Sequence, residues 1–193
     1  GKTEAIGDEL WAYIPQTLLP HLKFLANPDY SHSYYVDLKP KVFDAQINGA
    51  WKTLLLVGLN MGGKDIWAEG DFDGDSSTIE TRYFSPTYFC MDVTNPRVPR
   101  LLWERSYENL AMTTSYPAIV AVGKDYDDTS GTKIWSPGKW LAVFGSGSTD
   151  YEGGSNQSGY VFVVDLETGE PYRSTDAGGD HDWLFSTNSV NTV

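Results

Sequence analysis

Cysteine is nearly absent: one residue, Cys90, in a chain of 193. A lone cysteine excludes an internal disulfide, a CxxC redox pair and a cysteine-rich zinc site. It leaves the compartment open, and its place in the apolar run Tyr88-Phe89-Cys90-Met91 reads as core. Histidine is also scarce. His21, His32 and His181 lie far apart, and none stands in an HExxH-like spacing. His32 reads as a structural residue, and His181, between Asp180 and Asp182, as part of a surface turn. No nucleophile elbow is present, because Gly145-Ser146-Gly147-Ser148 has the wrong order for GxSxG. There is no P-loop and no GxGxxG before a helix. Basic residues are few, 14 Lys+Arg against 26 Asp+Glu, for a net charge of −12. That balance excludes the basic footprint of a nucleic-acid binder and repels an anionic membrane surface. No apolar run reaches the length of a transmembrane helix, so no direct membrane insertion is expected. No signal peptide is visible. A chain that starts at Gly1 without Met reads as a processed or excised piece.

What is present is core material. Hydrophobic residues make up 40% and aromatics 14%, with seven Trp, twelve Tyr and eight Phe. This suits one packed domain or part of a larger one. Nineteen Gly and ten Pro point to many turns. The acidic surplus makes divalent cations plausible partners.

Residues 1–33 read as a helical or loop lead-in. Leu18, Leu19, Leu22 and Leu25 recur at helical spacing, which predicts a short helix near 16–26 with Pro20 kinking it or marking its first turn. Residues 34–193 read as β. Candidate strands are Tyr34–Asp37, Lys41–Ile47, Thr53–Leu59, Thr87–Val93, Arg100–Glu104, Ser115–Val122, Trp140–Gly145 and Tyr160–Leu166. No long helical pattern alternates with them, so the fold class is all-β.

A weak internal repeat runs through this region. One copy holds Lys52 to Gly58 and, later, Tyr88 to Asn95. The other holds Lys139 to Gly145 and, later, Val161 to Gly169. Each is a buried strand ending in Gly, followed by a strand that ends in an Asp-led turn. The first copy is 14 residues longer, and the excess falls around Trp67–Phe84. A β unit recurring every 73 to 87 residues suggests propeller blades with long loops. A propeller closes with about four to eight blades, and this chain holds about two to three. It therefore reads as part of a propeller; a sandwich of about eight strands is the alternative. Such a piece leaves open strand edges, so it is expected to be unstable until further polypeptide completes the ring.

Several ordered segments carry a resemblance. They are Gly7 to Pro15 with Leu18-Leu19-Pro20; Tyr30 to Asp37 with Pro40; and Asn48 to Gly58 with Gly62-Gly63. Then come Met91 to Pro96 with Leu101-Leu102-Trp103-Glu104; Thr114 to Ala118 with Trp140 to Gly147; and Tyr160 to Gly169. Together the set resembles the C-terminal propeller of the PilC/PilY family, large proteins found at the tips of bacterial type IV pili. The resemblance implies a modified, quinoprotein-like β-propeller. It implies an extracellular, cell-surface location at the pilus tip, reached through the periplasm. It further implies roles in pilus biogenesis, extension and retraction control, twitching motility and adhesion. The partners implied are pilins or minor pilins, the remaining propeller polypeptide, and a host or abiotic surface.

The densest acidic cluster lies in the 14-residue excess: Asp65, Glu69, Asp71, Asp73, Asp75 and Glu80. Asp71, Asp73 and Asp75 alternate in a Gly-containing loop, a pattern that can turn three carboxylates toward one Ca²⁺. An EF-hand would need Gly at the sixth place and Glu at the twelfth, where this loop has Ser76 and Arg82. The family is similar in using a short Asp-rich calcium loop with a fourth acid at the ninth place, here Ile79; Glu80 follows it. The candidate metal ligands are thus Asp71, Asp73, Asp75 and Glu80, with Ca²⁺ as the cofactor and a solvated hairpin tip as the alternative. A second acidic loop holds Asp125, Asp127 and Asp128, and reads as a solvent-facing connection. Asp150 to Gly159 is a long polar turn that contains Tyr151 and the glycosylation sequon Asn156-Gln157-Ser158. Trp51, Trp103 and Trp140 read as packing between blades. Trp67, Trp135, Tyr151 and Trp183 lie in loops and are the candidate partner contacts. The expected function is a non-enzymatic pilus tip and assembly factor. The alternatives are a quinoprotein-type dehydrogenase propeller, opposed by the single cysteine and the incomplete ring, and a carbohydrate-binding module.

Overall fold

A computed structural model describes residues 5–123, 137–174, 181–182 and 184–190. The chain is all-β, with one 3-10 helix at Gln16–Ala26. The helix has the expected bounds, and Pro20 lies inside it. It winds as 3-10 rather than α, which suits a segment whose interior proline has no N–H to give.

Two four-stranded antiparallel sheets carry the fold. The first joins β1 (Lys41–Ile47), β2 (Ala50–Gly58), β5 (Tyr88–Asp92) and β6 (Arg100–Arg105) in that order. The second joins β7 (Ala118–Gly123), β8 (Pro137–Gly145), β9 (Ser158–Asp165) and β12 (Leu184–Val190). Each is an up-and-down meander with a two-stranded insertion. In the first it is the hairpin β3 (Ile66–Gly70) and β4 (Glu80–Phe84); in the second, the short pair β10 (Arg173–Ser174) and β11 (His181–Asp182). Among the described residues the two sheets do not close into a ring.

Seven of the eight expected strands are present, with shifted ends. Tyr34–Asp37 is not a strand, and the β region begins at Lys41. Those residues instead lie over the turn that follows β2, where the Asp37 amide donates to Leu59 O. That bond and the one Asn60 Nδ2 donates to the Asp37 carboxylate stand in place of a ladder.

The sheets pack face to face through alternate residues. Ala45, Ile47, Leu54, Leu56, Tyr88, Cys90 and Trp103 meet Ala142, Phe144, Phe162, Val164 and Leu166. Phe144 lies 4.1 Å from the Tyr88 ring and 5.6 Å from Phe162, centroid to centroid. Cys90 is the core residue its context suggested, and burial pushes its thiol up to about 12. The other face of the first sheet, Val57, Phe89 and Met91, is covered by Trp11, Tyr13, Leu18 and Tyr35. Glu104 of β6 fastens that lead-in by accepting from the Tyr13 hydroxyl and from the amides of Gln16 and Thr17. A carboxylate at the helix start meets amides that have no partner within the helix.

The repeat is a geometric fact. In the first sheet Leu54 pairs with Asp92 and Gly58 with Tyr88; in the second Leu141 pairs with Asp165 and Gly145 with Val161. In both, the lysine two residues before that leucine reaches the aspartate, Lys52 to Asp92 at 3.1 Å and Lys139 to Asp165 at 2.6 Å. Both aspartates then accept the amide two residues on, from Thr94 and Glu167. The turn at 165–169 docks back on β6: Trp103 Nε1 donates to Leu166 O at 2.9 Å. Gly169 sits at φ +70°, and a Cβ there would lie 2.6 Å from the Trp103 ring. Only glycine meets both demands.

Candidate metal site on the β3–β4 hairpin

The 14-residue excess is the β3–β4 hairpin. Its strands pair from Ile66↔Phe84 to Gly70↔Glu80, and residues 71–79 form the loop. The hairpin rests against the 3-10 helix. Trp67 and Tyr83 stack across one face, 4.7 Å apart. Inside the loop, Phe72 folds back beside Phe84, and the Arg82 guanidinium lies 4.7 Å over the Phe72 ring. This aromatic–cation clamp fixes where the loop begins and ends.

The four expected ligands come together. Asp71, Asp73, Asp75 and Glu80 each present a carboxylate oxygen, all within 4.8 Å of one another. The three aspartates are exposed and Glu80 is half-buried. Ile79, at the ninth place, is 71% exposed. Glu80 is held across the loop mouth by its pairing with Gly70, which brings its carboxyl beside the three aspartates. The loop turns at Gly74 and Ser76, both at positive φ.

Loop donors orient these carboxylates. Asp71 accepts the amides of Gly74 and Ser76 at 2.7 and 3.0 Å. Asp73 accepts the Asp75 amide, and Asp75 accepts both the amide and the hydroxyl of Ser77. Glu80 accepts the Phe72 amide at 2.6 Å and the Thr78 hydroxyl at 2.9 Å. These bonds hold the carboxyls of Asp71, Asp75 and Glu80 below the usual carboxylate range: the Gly74 amide leads at Asp71, Ser77 at Asp75 and the Phe72 amide at Glu80. The acids are therefore ionised at neutral pH, the form a hard cation needs. Calcium sits about 2.3–2.6 Å from its oxygens, so ligands on opposite sides of one ion lie about 5 Å apart. A spread of 4.8 Å lets all four carboxylates share one such sphere. Ser77, Thr78 and Phe72, the residues that aim the acids, carried no sequence signal beyond belonging to a polar loop.

Of the expected contact residues, Trp67 is 64% exposed on the hairpin, and Tyr151 is 47% exposed in the turn after β8. Trp135 and Trp183 lie outside the described residues, as do Asp125, Asp127 and Asp128. Trp103 is buried as expected. Trp51 is more exposed than a residue packed between sheets, and meets Trp140 edge-on at 5.8 Å.

No family model matches the chain. It is 32% identical over 177 residues to a type IV pilus biogenesis factor PilY1 homolog of Xylella fastidiosa, a match that takes in 89% of this chain and 9% of that protein. It is 28% identical over 183 residues to the type IV pilus biogenesis factor PilY1 of Pseudomonas aeruginosa PAO1, covering 90% of this chain and 12% of that protein. The chain thus spans about a tenth of the length of these curated relatives. Among solved structures it is similar to the C-terminal domain of Pseudomonas aeruginosa PilY1. The TM-score is 0.53 at 25% identity, over 86% of this chain and 26% of that one.

Proposed function

The chain belongs to the PilC/PilY family, and from that premise we propose that it acts in type IV pilus biogenesis as a non-enzymatic structural module at the pilus tip. Residues 1–33 serve as a lead-in. Residues 34–193 form two blades of a propeller that further polypeptide completes. The module works by presentation: a stiff pair of sheets carries the β3–β4 hairpin outward, toward a pilin or a surface outside the cell. Asp71, Asp73, Asp75 and Glu80 would hold Ca²⁺, which cancels the mutual repulsion of four carboxylates and stiffens the loop. Calcium would in this way tune extension, retraction and adhesion.

The observation that carries the reading is likeness to pilus biogenesis factors over nine-tenths of the chain. Complementation tests it. In a piliated host lacking its own homologue, the gene encoding this protein should restore sheared surface pili and twitching. A D71N/D73N/D75N variant should restore pili but shift the calcium concentration at which twitching changes. Failure of the unaltered gene to restore pili, with the protein exported and intact, would contradict the role.

A further inference from the structure

A second site lies where the hairpin begins, beside Lys64, Asp65 and Ile66. The 3-10 helix, the 32–34 stretch, the start of β3 and the turn after β8 enclose a cavity of about 510 Å³. It is lined by His21, Phe24, His32, Tyr34, Lys64 and Tyr151, among others. A second cavity of about 450 Å³ shares Lys64, Asp65 and Tyr151 with it, and continues past Ser148 and Asn156. Both volumes lie in the range of small-ligand sites, about 300–1,000 Å³. Lys64, Asp65 and Tyr151 line both spaces, which lie side by side.

Its walls are built rather than incidental. A Cβ on Gly62 would lie 1.6 Å from Tyr35 O, so a glycine there lets the 32–35 backbone settle against the turn after β2. Asn60 Nδ2 donates to Asp37, and the Asp37 amide to Leu59 O, fixing the far end of the same stretch. Asp150 accepts the Gly154 amide and shapes the turn that carries Tyr151.

Three aromatic rings flank this space half-exposed: Phe24 at 43%, Tyr34 at 46% and Tyr151 at 47%. His32 stands edge-on to Tyr34 at 5.1 Å, and Lys64 Nζ lies 6.0 Å from the Tyr151 ring. Lys64 stands beside Asp65 in both cavities and Asp150 and Glu152 line the second, so on a chain of net −12 the site repels anionic ligands.

We propose that this cleft binds a neutral oligosaccharide. Aromatic faces take the C–H face of a sugar ring, and the mixed donors and acceptors of Lys64, Asp65, His32 and Asn156 match hydroxyls that both give and accept hydrogen bonds. The two adjoining cavities, about 510 and 450 Å³, offer room for more than one ring. This deepens the adhesion part of the pilus reading and rests on that reading only for its role, since binding itself needs no pilus.

The test is saturation-transfer NMR on the intact protein with cellotetraose, mannotetraose, galactotetraose and N-acetylchitotetraose, followed by titration of any that respond. We expect transfer to at least one. Y34A and Y151A should each weaken its binding at least tenfold with an unchanged melting temperature. W67A, on the hairpin face outside the cleft, should leave it intact. Transfer to none of the four, or binding indifferent to both tyrosine changes, overturns the proposal. Pilus counts on cells carrying Y34A/Y151A separate the readings: pili without sugar binding support both, whereas the unaltered protein restoring pili but binding no sugar sinks this proposal alone.

Discussion

Thr113 is fully buried, and its hydroxyl accepts two backbone amides, Leu59 at 2.6 Å and Asn60 at 3.0 Å. These amides lie at the exit of β2, where the chain leaves the sheet for the hairpin. Replacing Thr113 with Val keeps the shape and removes the acceptor, leaving two buried donors unpaired. The expected loss is about 1–3 kcal/mol in urea unfolding, and Thr113→Ser should recover most of it. Equal stability of the Val variant would show that these amides find another partner. Nothing in the sequence marks Thr113 among its hydroxyl neighbours Thr114 and Ser115, because its partners lie 53 and 54 residues away. Cys90 and Trp103 were legible for the opposite reason: each stands in an apolar run whose alternation already announces a core.

At the scale of elements, strands rich in β-branched and aromatic apolar residues were readable, β7 included although none of its positions is buried, and the polar hairpin strands were not. Lys41–Ile47 and Tyr88–Asp92 carry apolar residues on the face that packs, and pattern alone found them. β3 and β4 have no buried positions and lack the β-branched run of β7, so period-2 reading had nothing to act on. The excess was visible as length, its acids as a cluster, and its hairpin form not at all. The paired Lys52–Asp92 and Lys139–Asp165 contacts explain why the repeat survives in sequence while being weak elsewhere: each aspartate both ends a strand and shapes the next turn. At Asp92, burial opposes ionisation, but the Thr94 hydrogen bonds and Lys52 outweigh it and hold the carboxyl below its usual range. A depressed carboxylate binds its proton less readily folded than unfolded. Its stabilisation is therefore present above the unfolded value, about pH 4, and is lost as pH falls through the lower folded value. Asp71, Asp75 and Glu80 act in the same direction. Burial holds His21 below its ordinary value, so it adds a decline of its own as pH falls through the histidine range, about 6.5, and the carboxylate share is read as the stability difference between the unaltered protein and Asp92→Asn. That difference should hold from neutral pH to about pH 4 and then shrink; a difference that vanishes near pH 6 would contradict this assignment.

For the whole molecule, two sheets share one core while the lead-in seals the outer face of the first. The Trp103–Gly169 contact and the hydrogen bonds of Tyr107 and Arg105 to the 168–169 carbonyls tie the second sheet's turn to the first sheet's last strand. The β3–β4 hairpin lies outside the two four-stranded sheets and rests against the 3-10 helix. Repeat, class and acidic cluster were all legible in the sequence. The face-to-face seating of the sheets and the cleft where the hairpin begins were not, because both are made by residues brought together from distant segments. The most direct measurement is calcium titration by calorimetry on the intact protein and on Asp73→Ala. The account predicts saturable binding of about one ion by the first and loss of that binding in the second. Heat of binding that is absent in both, or unchanged by the substitution, would contradict it.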